Sequence, residues 1–188
     1  MFFCSLNYFQ MMNAVRQIIY TEYRPAFTKI PVAIIADNIS THLNIGSVFR
    51  IADTFGASEV ILCGKSPTPP HKLISRTARG AERHIPFRYF DKTIIAVQSL
   101  KAEGYRILAL EITNTSADMR YYNFLLHEKI AFVVGSEEKG IAQEVLNEAD
   151  ECLHIASVGY CLSMNVATAL AVAMYEAASQ MRIMKDKI

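Results

Sequence analysis

Apolar and polar positions recur along most of the chain with a period that changes from segment to segment. Between Asn44 and Gly56, residues Ile45, Val48, Phe49, Ala52 and Phe55 fall at steps of three and four, the spacing of an amphipathic helix closed by a glycine. Arg50 stands off that stripe, about 140° around the helix from Ile45, and so faces something other than the core. The apolar runs Val32–Ala36, Glu59–Leu62, Tyr105–Leu110, Lys129–Val134 and Glu151–Ile155 predict buried strands. Pro86–Phe90 predicts a short edge strand, where a leading proline is tolerated. Helices are expected over Asn7–Tyr23, Thr93–Glu103 with Gly104 at its C-cap position, Ile141–Ala149 and Asn165–Met181, and the Pro-rich Ser66–Pro70 is expected to be loop. Strands alternating with helices in this order predict an α/β fold, a mostly parallel sheet flanked by helices.

With 188 residues, 52% of them apolar, the chain has material for one sizeable core and not for two ordinary domains. The expected organisation is an N-terminal helical segment, residues 1–30, followed by a single domain over 31–188. The uncharged run Cys161–Tyr175 contains Ser163, Asn165 and Thr168 and falls short of the ~20 apolar residues a membrane span needs. The opening MFFCSLNYFQMM has no basic n-region and no small-residue cleavage site, so no secretory signal is expected, and Met11 or Met12 is an alternative start. Cys4, Cys63, Cys152 and Cys161 form no Cys-x-x-Cys pair and have no histidine at zinc spacing, which predicts reduced thiols, no metal and a cytoplasmic location.

The net charge of +1 is unevenly spread. Between Lys65 and Lys92 there are seven Lys/Arg against Glu82 and Asp91, a local balance of +5, interleaved with His71, His84, Phe87, Tyr89 and Phe90. Such a segment can follow a phosphate backbone and offer rings for stacking, and it reads equally as an ordinary solvated surface. Between Glu137 and Glu151 the balance reverses, with six acids against Lys139 alone.

In an open parallel sheet, ligands bind at the loops beyond the strand ends. Three such loops carry unusual residues: the one after Asp37 leading to Asn44, Gly135-Ser-Glu-Glu-Lys-Gly140, and ASVGYCLSMN ending at Asn165. Gly135 and Gly140 allow a sharp turn and close approach to a ligand, and Glu137 puts a carboxylate inside it. Ser163 and Asn165 precede the last helix, and capping accounts for one of the two. Gly64-Lys65-Ser66 is not a phosphate-binding P-loop, because Glu59 stands where that motif needs its first glycine and Pro67 obstructs the helix. A Gly-x-Gly-x-x-Gly turn is also absent, so a nucleotide-like ligand would be held differently.

Taken in order, Asn44-Ile-Gly-Ser-Val-Phe-Arg50, Gly135-Ser-Glu137-Glu-Lys-Gly140 and Ile155 through Ser163-Met-Asn165 resemble the three sequence motifs of the SpoU (TrmH-like) RNA ribose methyltransferases, of the SPOUT superfamily. The resemblance covers roughly Val32 to Gln180. It departs in the third motif, where Ile155-Ala156-Ser157 replaces the family's usual Ile-Pro-Met, and in lacking the extra N-terminal RNA-binding domain of some members.

The resemblance implies a C-terminal trefoil knot, S-adenosylmethionine held by Leu110, Gly135, Ile155, Ser163 and Met164, and a homodimer, which the small-residue final helix suits. It also implies methyl transfer to a ribose 2′-hydroxyl of tRNA or rRNA, with Arg50 at the hydroxyl and Asn44, Glu137, Ser163 and Asn165 completing the polar wall. Asn44 would hold Arg50 or the substrate. A guanidinium is a permanent cation, so orienting the hydroxyl and stabilising its developing charge costs less than acting as a free base. Arg76, Arg79 and Arg83 are the expected RNA contacts, and the limited basic surface favours tRNA. Two other readings stay open, an RNA- and cofactor-binding module without catalysis and an α/β enzyme acting on a small nucleotide.

Overall fold

A computed structural model describes residues 29–160 and 163–185, together with Gln17. Apart from Gln17, the helix expected over Asn7–Tyr23 lies outside the described residues, as do Cys4 and Cys161.

The strands form where β-branched and apolar residues run together. They are β1 (Val32–Asp37), β2 (Glu59–Cys63), β3 (Phe87–Phe90), β4 (Arg106–Leu110), β5 (Ala117–Asp118), β6 (Ile130–Gly135) and β7 (Glu151–His154). They make one seven-stranded sheet in the order β3-β2-β1-β6-β4-β7-β5, and every described pairing is parallel. The helices are α1 (His42–Phe55), α2 (Lys72–Ala78), α3 (Thr93–Ala102), α4 (Gln143–Glu148) and α5 (Val166–Lys185).

Both faces of the sheet are covered, which is why β1 and β6 are buried at every position. Val32, Ile34 and Ala36 of β1 and Ile130, Phe132 and Val134 of β6 join a core completed by α1 and α5. The alternate residues Ala33, Ile35, Ala131 and Val133 join a second core with Ala96, Val97 and Leu100 of α3 and Val145 of α4. The stripe read from sequence, Ile45, Val48, Phe49 and Ala52, is the buried face of α1, with Phe55 packed at its edge. Gly56 ends the helix at φ 75°, and its N–H caps the carbonyls of Ala52 and Asp53.

The structure departs from expectation at several boundaries. α2 lies just past the loop expected over Ser66–Pro70, where the sequence pattern assigns no element. α4 is shorter than Ile141–Ala149 because Ala142 is extended and stands outside the helix, and Asn165 caps α5 instead of beginning it. Among the described residues no helix is long and apolar enough to cross a membrane.

β1 and β6 lie side by side, and their connections leave in opposite directions. β1 continues through α1 toward β2, while β6 continues through α4 toward β7. Their last residues, Asp37 and Gly135, are register partners. This reversal of strand order creates the crevice in which open α/β sheets hold ligands.

Candidate functional site

The three loops singled out in the sequence meet at the carboxyl edge of the sheet. Asn44 lies in the first turn of α1, Glu137 in the turn after β6, and Asn165 at the start of α5. Asn44 Nδ2 donates to Glu137 Oε1, and Asn165 Nδ2 donates to Asn44 Oδ1 at 3.2 Å. Asn165 Oδ1 also accepts from the N–H of Ala167 at 2.9 Å and Thr168 at 3.3 Å, so a single amide caps α5 and binds Asn44. The three residues form a chain of side-chain bonds across separations of 93 and 121 positions.

The turn that carries Glu137 depends on its glycines. Ser136 and Gly140 exchange backbone hydrogen bonds at 3.2 and 2.9 Å, folding the chain back on itself. A Cβ on Gly135 would run into the carbonyl of Gly140, and Gly140 itself has φ 63°. Leu110, Gly135 and Ile155 sit at or just past the ends of β4, β6 and β7, adjacent strands whose registers align Ala109 with Val133 and Leu110 with Leu153. Leu110 and Ile155 are half-buried against the core, whereas Ser163 and Met164 are exposed.

Arg50 is exposed, and its side chain makes no hydrogen bond or ion pair among the described residues. It lies six residues beyond Asn44, about 9 Å along the helix and about 120° around it, so Asn44 bonds Glu137 and Asn165 and does not hold Arg50. Four residues before Arg50, and on the same side of α1, Gly46 is where α2 crosses in contact. Arg50 therefore emerges beside the connection that carries Arg76, Arg79 and Arg83, all exposed. Arg79 takes a left-handed backbone, φ 56°, as the C-cap of α2.

The basic segment is smaller than its sequence suggests. Arg88 is committed to Glu59 and Glu103 at 2.8 and 2.7 Å. Tyr89 donates its hydroxyl to the Gly64 carbonyl at 2.8 Å, Phe87 packs edge-on against Phe49, and Phe90 is half-buried. Phe87 and Tyr89 are partly exposed but engaged with the fold, and among the described residues Lys65, Lys72, Arg76, Arg79, Arg83 and Lys92 remain the exposed cations of the segment.

A polar cavity of about 250 Å³ opens on the α3–α4 side, lined by Asp37, Asn38, Lys92, Thr93, Ala142 and Glu144 among others, and none of the expected catalytic or cofactor residues lines it. Two strand-end acids were not singled out from sequence, Asp37 and Glu111, both bonded to the turn after β6. A polar residue ending an apolar run was their only trace. Among the described residues no three His, Cys, Asp or Glu gather as metal ligands.

A sequence model of the SpoU rRNA Methylase family matches residues 31–175. A Staphylococcus saprophyticus protein assigned to the TrmH family of tRNA/rRNA methyltransferases is 27% identical over 168 residues, covering 89% of this chain and 66% of that one. The chain thus spans less than two thirds of that relative's length. An AdoMet-bound rRNA methyltransferase from Sinorhizobium meliloti superposes with a TM-score of 0.76 at 24% identity, over 82% of this chain and 58% of the other. A structure giving insight into the 2-OH methylation of C/U34 on tRNA superposes at 0.71 and 24% identity, over 80% of this chain and 96% of that one. The resemblance read from the three motifs and the match over most of the chain agree, and the protein belongs to the SpoU rRNA Methylase family.

Proposed function

We propose that the protein transfers a methyl group from S-adenosylmethionine to a ribose 2′-hydroxyl of RNA, with tRNA the favoured substrate. The observation that carries this reading is the convergence of Asn44, Glu137 and Asn165, one residue from each motif loop, at the carboxyl edge of a single sheet. The family relatives are tRNA/rRNA methyltransferases, and the neighbour whose length this chain matches acts on tRNA.

The residues at the ends of β4, β6 and β7 suit S-adenosylmethionine. Leu110 and Ile155 offer half-buried apolar surface, Gly135 offers backbone without a side chain, and Ser163 and Met164 are exposed on the last loop. Bound there, the cofactor supplies an electrophilic methyl group. Arg50 supplies a permanent cation that orients the ribose hydroxyl and stabilises the charge developing on its oxygen. Asn44, held by Glu137 and Asn165, presents a fixed amide to the substrate, and Ser163 adds a hydroxyl to the same wall. Arg76, Arg79 and Arg83 hold the RNA backbone. Val172 and Tyr175, exposed on α5, suit pairing with a second copy, and the trefoil threading of the C-terminal part and a cytoplasmic location go with this reading.

Arg50→Ala tests the assignment: transfer is expected to be lost while S-adenosylmethionine affinity stays within about twofold, since Arg50 bonds nothing in the cofactor loops. Loss of both together makes Arg50 structural. RNA binding is expected to weaken steeply with salt, and salt-insensitive substrate binding instead indicates a small nucleotide.

A further inference from the structure

The carboxyl group that ends β1 has no part in the chemistry above, yet it is deeply buried. Asp37 is 1% exposed and forms no ion pair among the described residues, with Lys92 across the polar cavity that both line. Its Oδ1 accepts from Asn38 Nδ2 at 2.8 Å and from Thr93 Oγ1 at 2.5 Å, and its Oδ2 accepts from the Ala142 N–H at 3.0 Å. Each bond reaches a different place. Thr93 opens α3, Ala142 ends the turn after β6, and Asn38, itself left-handed at φ 55°, accepts the Lys65 N–H at 3.1 Å and so ties down the start of the basic connection.

Glu111, the first residue past β4, does the matching thing from the other flank of β6. Its Oε2 accepts from the Ile141 N–H at 3.2 Å and its Oε1 from the Ile112 N–H at 3.1 Å. Consecutive amides, Ile141 and Ala142, are thus each taken by a carboxylate from one of the two strands that border β6. The other end of the turn, Gly135, is fixed by pairing in the sheet opposite Asp37. Glu137 rides on this turn. Burying a carboxyl is costly unless its acceptors are filled, and here they are filled by donors that all belong to connections leaving the sheet.

We propose that Asp37 and Glu111 are positioning residues, a pair of strand-end carboxylates that clamp the turn 136–142 and thereby set where Glu137 and the Gly135 backbone meet cofactor and substrate. The proposal rests on the functional reading above for its consequence, though not for the clamp itself. An acid at the end of β1 is an expensive choice if its task were only to fill space, since an apolar side chain packs there without needing three donors. The turn closes on itself through the Ser136–Gly140 bonds, and what the two acids add is a fixed distance between its far end, Ile141 and Ala142, and the strands on either side of β6.

The test uses the full chain and three variants, Asp37→Asn, Glu111→Gln and Ser66→Ala. An amide in place of either carboxylate keeps the shape but cannot accept from every donor now present. Ser66 is a buried control that donates to the Ala36 carbonyl at 3.2 Å and forms no hydrogen bond to the turn. The clamp predicts about tenfold faster hydrogen exchange at the Ile141 and Ala142 amides in the two acid variants, and about tenfold weaker S-adenosylmethionine binding by calorimetry. Ser66→Ala is expected to lower thermal stability comparably while leaving both readouts within about twofold. Unchanged exchange in both acid variants, or equal loss of affinity in Ser66→Ala, overturns the proposal. If Asp37→Asn does not fold, Glu111→Gln, at a half-buried site, decides alone. If the wild-type chain binds no S-adenosylmethionine, the functional reading fails, and the exchange rates still judge the clamp.

Discussion

Replacing Gly46 by alanine sets two effects of known size against each other. In an ordinary helix the change stabilises by about 1 kcal/mol, because alanine is the better helix former. Here a Cβ at position 46 would run into Thr77 Oγ1 and the Ile74 carbonyl of α2, with the Ala78 nitrogen 3.1 Å away. Two of the three are backbone atoms, and Thr77 cannot simply swing aside, since its hydroxyl donates to the Leu43 carbonyl at 3.0 Å. α2 must therefore withdraw from α1. Overpacking of this kind costs about 1–3 kcal/mol, and losing the Thr77 bond adds about 1 kcal/mol. The penalty exceeds the propensity gain, leaving a net loss of about 1–3 kcal/mol, or a fall in Tm of roughly 3–9 °C for a domain of this size. The assay is thermal unfolding of Gly46→Ala beside Ser47→Ala, a neighbouring change on the same helix expected to stay within about 0.5 kcal/mol of wild type. Because α2 carries Arg76 and leads to Arg79 and Arg83, RNA affinity is expected to fall as well. An unchanged or higher Tm in Gly46→Ala refutes the packing argument.

Three further outcomes follow from other parts of the molecule. The hydrogen bond from Arg88 holds the Glu103 carboxyl below the usual carboxylate range, so its contribution is present above the unfolded-state value near 4.3 and is lost as pH falls through the folded value. Urea midpoints of wild type and Glu103→Gln should differ at neutral pH and converge in acid, and a gap independent of pH contradicts this. Burial pushes the Cys63 thiol up to about 12, so in native protein iodoacetamide should leave it intact and modify it only on unfolding, as read by peptide mass spectrometry. Arg79→Gly should weaken RNA binding and reduce the slope of log affinity against log salt by about 0.7–0.9 without lowering Tm, because glycine accepts φ 56° more readily than arginine; a stability loss with RNA affinity intact reverses that assignment.

What could be read from sequence follows the range of the interactions involved. The buried face of α1 and the Gly56 cap are local patterns and were legible in the sequence, except that Phe55 packs only at the edge of that face and the buried Gly46 left no apolar mark. α2 was not, because its signals are unusual. His71 caps it through Nδ1, accepting from the Leu73 N–H at 3.2 Å, and Arg79 takes the left-handed position where glycine is the usual marker. The motif loops were visible as strand-end irregularities, while the bonds that join Asn44, Glu137 and Asn165 span most of the chain and leave no periodic trace. Arg88 looked like one more cation until the fold brought Glu59 and Glu103 against it. Asp37 was the least legible, since one of its partners is a backbone N–H 105 positions away, and a backbone donor has no identity in sequence.

The central claim, methyl transfer to ribose, is tested most directly by incubating the protein with isotopically labelled S-adenosylmethionine and separate pools of unmodified tRNA and rRNA, followed by nucleoside mass spectrometry, with Arg50→Ala alongside. The account predicts a labelled 2′-O-methyl nucleoside from the tRNA pool that disappears in the variant. Label on a base, or label that persists undiminished in Arg50→Ala, contradicts it.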